Sequence, residues 1–202
     1  AKRESSNISP MKNKLFTRLV LSSMALGLAV NQGRANPLGG SVAAGSATIS
    51  GEGTAVTTIL QTSDRAIINW QDFSIGLGDI TRFIQPGADA AVLNRVLSGS
   101  PSQLLGTLQA NGQVYVINPS GILIGANAQI NAGTFVGSTL DVANSAFLSG
   151  GNMQFLGSTT AGVENLGTIN ALGGDIFLFG HTVKNSGTLN ASGTVGLAAG
   201  MS

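Results

Sequence analysis

An eleven-residue stretch, Val163-Glu164-Asn165-Leu166-Gly167-Thr168-Ile169-Asn170-Ala171-Leu172-Gly173, returns twenty residues later as Val183-Lys184-Asn185-Ser186-Gly187-Thr188-Leu189-Asn190-Ala191-Ser192-Gly193, with seven positions identical. Each copy precedes a short apolar run, 175–179 and 194–198, and a weaker echo stands earlier as Ala128-Gln129-Ile130-Asn131-Ala132-Gly133. A period near twenty, with short strands and a Gly/Asn corner in every unit, is the mark of a solenoid. The Leu-x-x-Leu-x-Leu framework of leucine-rich repeats is missing. The period therefore predicts an all-β chain, a right-handed parallel β-helix whose coils stack at the strand spacing of ~4.8 Å. In that fold Val163, Ile169, Ile176 and Leu178 point inward and stack on Val183, Leu189, Val195 and Leu197. Asn165 and Asn185 stack at a corner. A β-helix ending just after the second copy would present an open apolar edge, so continuation beyond Ser202 is expected.

Upstream of the repeat, helical periodicity is almost absent. Apolar and β-branched runs occupy 54–60, 66–70, 80–84, 90–97, 106–110, 113–117 and 122–124, each bounded by Gly, Pro, Asn or Ser, and each reads as a strand. Asn111-Gly112 between two of them predicts a type I′ β-hairpin. Asn118-Pro119-Ser120-Gly121 predicts a type I turn leading into Ile122. Ser100-Pro101-Ser102-Gln103-Leu104-Leu105 predicts a short helical turn, with Ser as cap and Pro at the first helical position.

The first 35 residues are of another kind. They carry Lys2, Arg3, Lys12, Lys14, Arg18 and Arg34 against Glu4 alone. From Met11 a cationic start leads into an apolar stretch, 19–30, and then to small residues Gly33 and Ala35. This is the pattern of a secretory signal peptide over 11–35, cleaved between Ala35 and Asn36, and the stretch is shorter than the ~20 residues of a membrane span. Residues 1–10 form an unassigned upstream extension, and the folded domain is expected over 36–202. That remainder holds four basic residues, Arg65, Arg82, Arg95 and Lys184, against eight acids, a net of −4, which makes nucleic acid an unsuitable partner. The chain has no Cys. Disulfides and thiolate metal sites are thereby excluded.

Six motifs in order then point further. They are Ile68-Asn69-Trp70-Gln71-Asp72-Phe73-Ser74-Ile75, Phe83-Ile84-Gln85-Pro86, Leu93-Asn94-Arg95-Val96, Pro101-Ser102-Gln103-Leu104-Leu105-Gly106, Asn111-Gly112-Gln113-Val114-Tyr115-Val116 and Asn118-Pro119-Ser120-Gly121-Ile122. Together they resemble the N-terminal secretion domain of the filamentous haemagglutinin and high-molecular-weight adhesin family, the exoproteins of two-partner secretion systems. The resemblance runs from about Gly39 to the end. It implies a β-helix with an N-terminal cap and extra-helical strands. It also implies recognition by a TpsB-type outer-membrane β-barrel transporter through periplasmic domains, and a secreted or cell-surface location in a Gram-negative-type bacterium. The family's Asn-Pro-Asn-Gly-Ile motif falls on Asn118, Pro119, Ser120, Gly121 and Ile122, with Ser120 departing from it. Leu93, Asn94, Arg95 and Val96 stand where one branch carries Asn-Pro-Asn-Leu. These nine residues are the expected secretion motif.

Other chemistry finds little support. His181 is the sole histidine and the acids are scattered. Asp72 and Asp79, seven apart around Gly76 and Gly78, suit turns better than the close carboxylate pair of a glycosidase. Trp70 suits the core of the cap better than a sugar platform. No cofactor or metal is expected. Two readings stand beside the export role: a polysaccharide-degrading β-helix enzyme, and a structural module that binds host or matrix glycans directly.

Overall fold

A computed structural model describes residues 36–200. The predicted signal peptide, its cleavage residue Ala35 and the extension 1–10 lie outside the described residues. The chain opens with β1 (Ser41–Ala44) and β2 (Ala47–Ser50). Both run antiparallel to the strands beneath them, β1 on the strand containing Ile68 and β2 on the strand containing Ile59. They close the first coil as a cap.

Below the cap every ladder of the main body is parallel. The upper coils contribute β3 (Val56–Gln61) and β4 (Arg65–Trp70), then β5 (Ile80–Ile84) and β6 (Ala91–Val96). The next two coils each have three strands, β7 (Ser102–Leu104), β8 (Thr107–Ala110) and β9 (Gln113–Ile117), then β10 (Ile122–Ile124), β11 (Gln129–Ala132) and β12 (Thr134–Ser138). The chain then leaves the solenoid for β13 (Asp141–Val142), helix α1 (Asn144–Ser149) and β14 (Phe155–Leu156). It returns for two repeat coils, β15 (Gly162–Asn165), β16 (Thr168–Ala171) and β17 (Ile176–Gly180), then β18 (Thr182–Asn185), β19 (Thr188–Ala191) and β20 (Val195–Ala199). The result is a parallel β-helix of two seven-stranded sheets, β1-β4-β6-β9-β12-β17-β20 and β19-β16-β11-β8-β5-β3-β2, and a four-stranded third, β18-β15-β10-β7.

Stacking follows the repeat. Val163 lies opposite Val183, Ile169 opposite Leu189, Ile176 opposite Val195 and Leu178 opposite Leu197. Ile130 continues the Ile169 column upward, and Ala66, Val92, Val114, Phe135 and Ile176 form a column through five strands. Alternation in β17, with Ile176 and Leu178 buried and Phe177 and Phe179 half-buried, shows the period of two that keeps one face inward. Each aliphatic side chain buried in this way contributes about 1.5–3 kcal/mol. Trp70 belongs to the upper core, edge-on to Phe73 at 5.6 Å, with its indole N–H donating to Asn94 Oδ1 at 3.0 Å.

Two expectations fail for a shared reason. Asn111-Gly112 is not a hairpin: β8 pairs with β5 and β11, β9 pairs with β6 and β12, and the dipeptide turns a corner between two sheets. Asn111 instead bonds the coil above, its Oδ1 accepting from the Gln85 amide and its Nδ2 donating to the Gln85 carbonyl. Residues 100–105 do not form a helical turn. Ser102 and Leu104 are buried, Gln103 is exposed, and β7 pairs in parallel with β10. In both places a neighbouring coil, remote in sequence, offers backbone partners that local turn and cap signals do not register. The extra-helical strands are instead β13 and β14, paired antiparallel around α1.

That excursion packs on the outside of the β1-to-β20 sheet. It seals a second core of Ile67, Ala91, Leu93, Tyr115, Ile117, Val136, Val142 and Phe147. Helix α1 is too short to stand on intrinsic propensity. It begins at Ala143 without a side-chain cap and ends at Gly150 in the left-handed region, φ 69°.

Candidate functional site

The residues of the expected secretion motif fall in two places. The first is the corner after β9. Asn118 is fully buried there, although it is polar. Its Oδ1 accepts from the Ser120 amide at 2.9 Å, and its carbonyl accepts from the Gly121 amide at 3.0 Å, closing the predicted turn over Pro119 and Ser120. Its Nδ2 donates to the Ser100 carbonyl at 3.0 Å and to Ser102 Oγ at 2.9 Å, both in the coil above. The side chain therefore satisfies its own turn and pins it to the preceding coil. Ser120 donates only through its backbone in this turn, so the turn forms without a second asparagine. Gly121 has φ 117°, where a Cβ would be strained, and its carbonyl accepts from the Ser102 amide at 2.9 Å. Ile122 then starts β10, buried and in register with Ser102 and Val163.

The second place is β6. Leu93, Asn94 and Val96 are all buried. Asn94 points into the solenoid, where Oδ1 accepts from Trp70 and Nδ2 donates to the Tyr115 carbonyl at 3.2 Å. Leu93 points outward into the second core, and Val96 inward into the first. Arg95 points outward and binds the excursion. Its Nε and Nη2 reach Asp141 Oδ1 at 3.0 and 2.9 Å, Nη2 also donates to the Val142 carbonyl at 2.9 Å, and Nη1 donates to Asn144 Oδ1 at 2.9 Å. Arg95 thus pairs with an acid of the excursion.

The two places are not one cluster. They lie in different sheets, and what they share is burial. Beside the Asn118 turn runs a shallow trough of about 300 Å³ along the outside of the four-stranded sheet, lined by Pro101, Ser120, Gly121, Gly162 and Lys184 among others. The returning limb of the excursion reaches the turn as well, with Thr159 Oγ1 donating to the Pro119 carbonyl at 2.6 Å. Asn36 is buried, its Nδ2 donating to the Thr54 carbonyl.

Sequence reasoning missed two sets of residues that hold these places. One is the buried glutamine corner: Gln85 Nε2 donates to Gln61 Oε1 at 3.2 Å and to the Ala90 carbonyl at 3.1 Å, and Gln85 Oε1 accepts from the Gly112 amide at 2.9 Å. The recurrence of Gln at 61 and 85, the first ending β3 and the second directly following β5, is the signal that could have found it. The other is Arg65, whose Nη1 donates to the Phe147 carbonyl at 2.9 Å and whose guanidinium lies 5.3 Å from the Phe147 ring centroid. An 82-residue separation leaves no sequence signal for that contact. Among the described residues, no group of three or more His, Cys, Asp or Glu side chains is placed to hold a metal ion. Asp72 accepts from Ser74 Oγ at 2.8 Å, a turn contact.

Comparison with known proteins matches this architecture. Residues 33–202 match the family profile of the TPS secretion domain. The solved secretion domain of HMW1 from Haemophilus influenzae superposes with a TM-score of 0.72 and 38% identity, over 81% of this chain and 45% of that one. A heme/hemopexin-binding protein of Haemophilus influenzae is 44% identical over 85 residues, 42% of this chain and 9% of that protein. A second protein of that name, from strain Rd, is 35% identical over 134 residues, 66% of this chain and 15% of that protein. The chain therefore spans a small part of the curated relatives it matches.

Proposed function

The chain belongs to the TPS secretion domain family, and from that premise we propose that its nine motif residues serve export by being read before the domain folds. Proteins with this domain are secreted across the outer membrane of Gram-negative bacteria, and the domain implies a TpsB-type outer-membrane transporter as partner. The relatives are secretion domains of exported proteins, not enzymes.

The observation that carries the proposal is burial. Asn118 and Asn94, polar side chains at the heart of both motifs, are 0% exposed in the folded domain. A partner that selects the chain by these residues meets them only in an unfolded or partly folded form. In this reading the signal peptide over 11–35 delivers the chain to the periplasm, with cleavage between Ala35 and Asn36. The transporter's periplasmic domains then capture an extended segment by strand addition, where backbone hydrogen bonds give affinity and alternate side chains give specificity. At the cell surface each coil stacks on the last, burying its apolar column and pairing the free edge above it. Asn118 and Asn94 pass from partner contacts to internal ones, so release and folding are the same event.

The test replaces Asn118 and Gly121 by Ala together, beside Ile169→Ala as a control that weakens the fold away from both motifs. Levels in the medium and at the surface are measured against total synthesis. The double variant is expected to lose export well beyond the control at unchanged synthesis. Undiminished export, or a loss no greater than the control's, removes these residues from recognition. Glycan binding by the chain is a separate reading, tested by direct binding to host and matrix glycans.

A further inference from the structure

The excursion between β12 and β15 makes the longest-range side-chain contacts described above, and all of them run backward. Chain order in the solenoid is also coil order, so each coil ordinarily bonds the one just before it. The excursion leaves after the coil of β12, yet Arg95 reaches it from β6 and Arg65 from β4, separations of 46 to 49 and of 82 residues. Most of what it covers is equally old in chain order, although Phe155 also packs on Phe179 of β17 at 4.9 Å, and Phe177 and Phe179 border the same outer core. Ile67, Leu93, Tyr115 and Val136 stand in one register column on the outer face of four neighbouring strands. They face away from the inner core, and the excursion is what buries them. The ring of Phe147 is edge-on to Tyr115 at 5.3 Å.

The fit is specific at Gly150. Its amide and Arg65 Nη1 both donate to the Phe147 carbonyl, at 3.2 and 2.9 Å. A Cβ on Gly150 would lie 2.8 Å from the Arg65 guanidinium, so the end of α1 is shaped to the arginine of the first coil.

We infer that the excursion is a latch that commits the upper coils to the folded state only after the coil of β12 has formed. The platform it needs first consists of the outer faces of β4, β6, β9 and β12 together, and no subset of them presents Ile67, Leu93, Tyr115 and Val136 side by side. Before latching, Ile67, Leu93 and Tyr115 lie on an open sheet face and the upper coils can still unravel. After latching, β4 through β12 open as one unit. The coils of β15 to β20 add later, one at a time, and β17 then meets the latched excursion through Phe179. This inference concerns folding order and stands apart from the reading of the motif in export.

Amide hydrogen exchange on the full 202-residue chain tests it. Two variants open the latch from different sides, Arg95→Ala from its polar contacts and Phe147→Ala from its apolar one. In both, protection in β4, β6 and β9 is expected to fall at least tenfold, while β16, β18 and β19 stay within twofold of the parent chain. The charge-exchanged chain carrying Arg95→Asp with Asp141→Arg is expected to regain part of the loss. Loss confined to 139–161, with β4 and β6 unchanged, overturns the inference, because the excursion would then be a passenger. Uniform loss in all coils overturns it as well, because the domain would then be one cooperative unit with no committed part. If Arg95→Ala does not fold, the Phe147→Ala result decides.

Discussion

Asn165 Nδ2 donates to Asn185 Oδ1 at 2.7 Å across one coil of the solenoid, twenty residues apart in sequence. The same pair of side chains also serves its own corners. Asn165 Oδ1 accepts from the Gly167 amide at 3.1 Å, and Asn185 Nδ2 donates to the Gly187 carbonyl at 3.3 Å. One residue type at one place in the repeat thus closes the turn and ties it to the next.

That arrangement can be measured by a double-mutant cycle. Asn165→Ala and Asn185→Ala are expected to couple by about 0.5–1.5 kcal/mol in urea unfolding, the net worth of an intramolecular hydrogen bond. Asn131, Asn170 and Asn190 form a second ladder at 2.8 Å spacings, but on an exposed face. Water competes there, and coupling between Asn170 and Asn190 is expected to be smaller. Equal coupling in the two ladders would mean that burial contributes nothing.

Ile169 is completely buried between Ile130 and Leu189, whereas Leu172 in the same repeat is 72% exposed. Ile169→Ala is expected to cost about 2–5 kcal/mol through lost transfer energy and a residual cavity. Leu172→Asp is expected to change stability by no more than about 0.5 kcal/mol. Denaturation midpoints of the two variants provide the comparison.

Asn118 makes two donor contacts to the coil above and one acceptor contact within its turn. Asn118→Ala is expected to lower stability by about 1–3 kcal/mol, since buried partners lose their bonds. Asn118→Asp is expected to be worse. It keeps the acceptor for Ser120 but places a carboxylate oxygen against the Ser100 carbonyl, where a donor stood. Thermal unfolding at neutral pH ranks the two, and a milder Asp variant would contradict the contact scheme.

Tyr115 sits in the outer core, where burial raises its pKa above the usual tyrosine value; the nearby Arg65 charge lowers it in part, and Asp175 adds slightly to the rise. Its contribution follows from linkage. Below the ordinary tyrosine range, folded and unfolded forms are both protonated and nothing is lost. As pH rises through that range the unfolded chain gives up the proton first, so stability falls until the folded group ionises too. Tyr115→Phe is expected to flatten this alkaline limb while leaving the neutral plateau near its parent value. An unchanged slope above the tyrosine range would place the titration elsewhere.

The sequence by itself determined the solenoid, its period and which residues stack. Inward side chains repeat at a fixed interval, and a one-residue slip would expose the whole column, so the pattern of Val163, Ile169, Ile176 and Leu178 admits one register. The Asn118 turn was legible too, because Asn, Pro and Gly each act on their own backbone. Only the tertiary structure decided what β7, Asn111-Gly112, Arg65 and Arg95 do. A Ser-Pro cap or an Asn-Gly turn expresses a local preference worth little beside a complete ladder offered by the next coil. The arginines answer to an excursion 46 to 82 residues away, whose short helix exists because Phe147 has an outer core to enter. Short-range chemistry wrote the coils, and long-range docking set what binds them together.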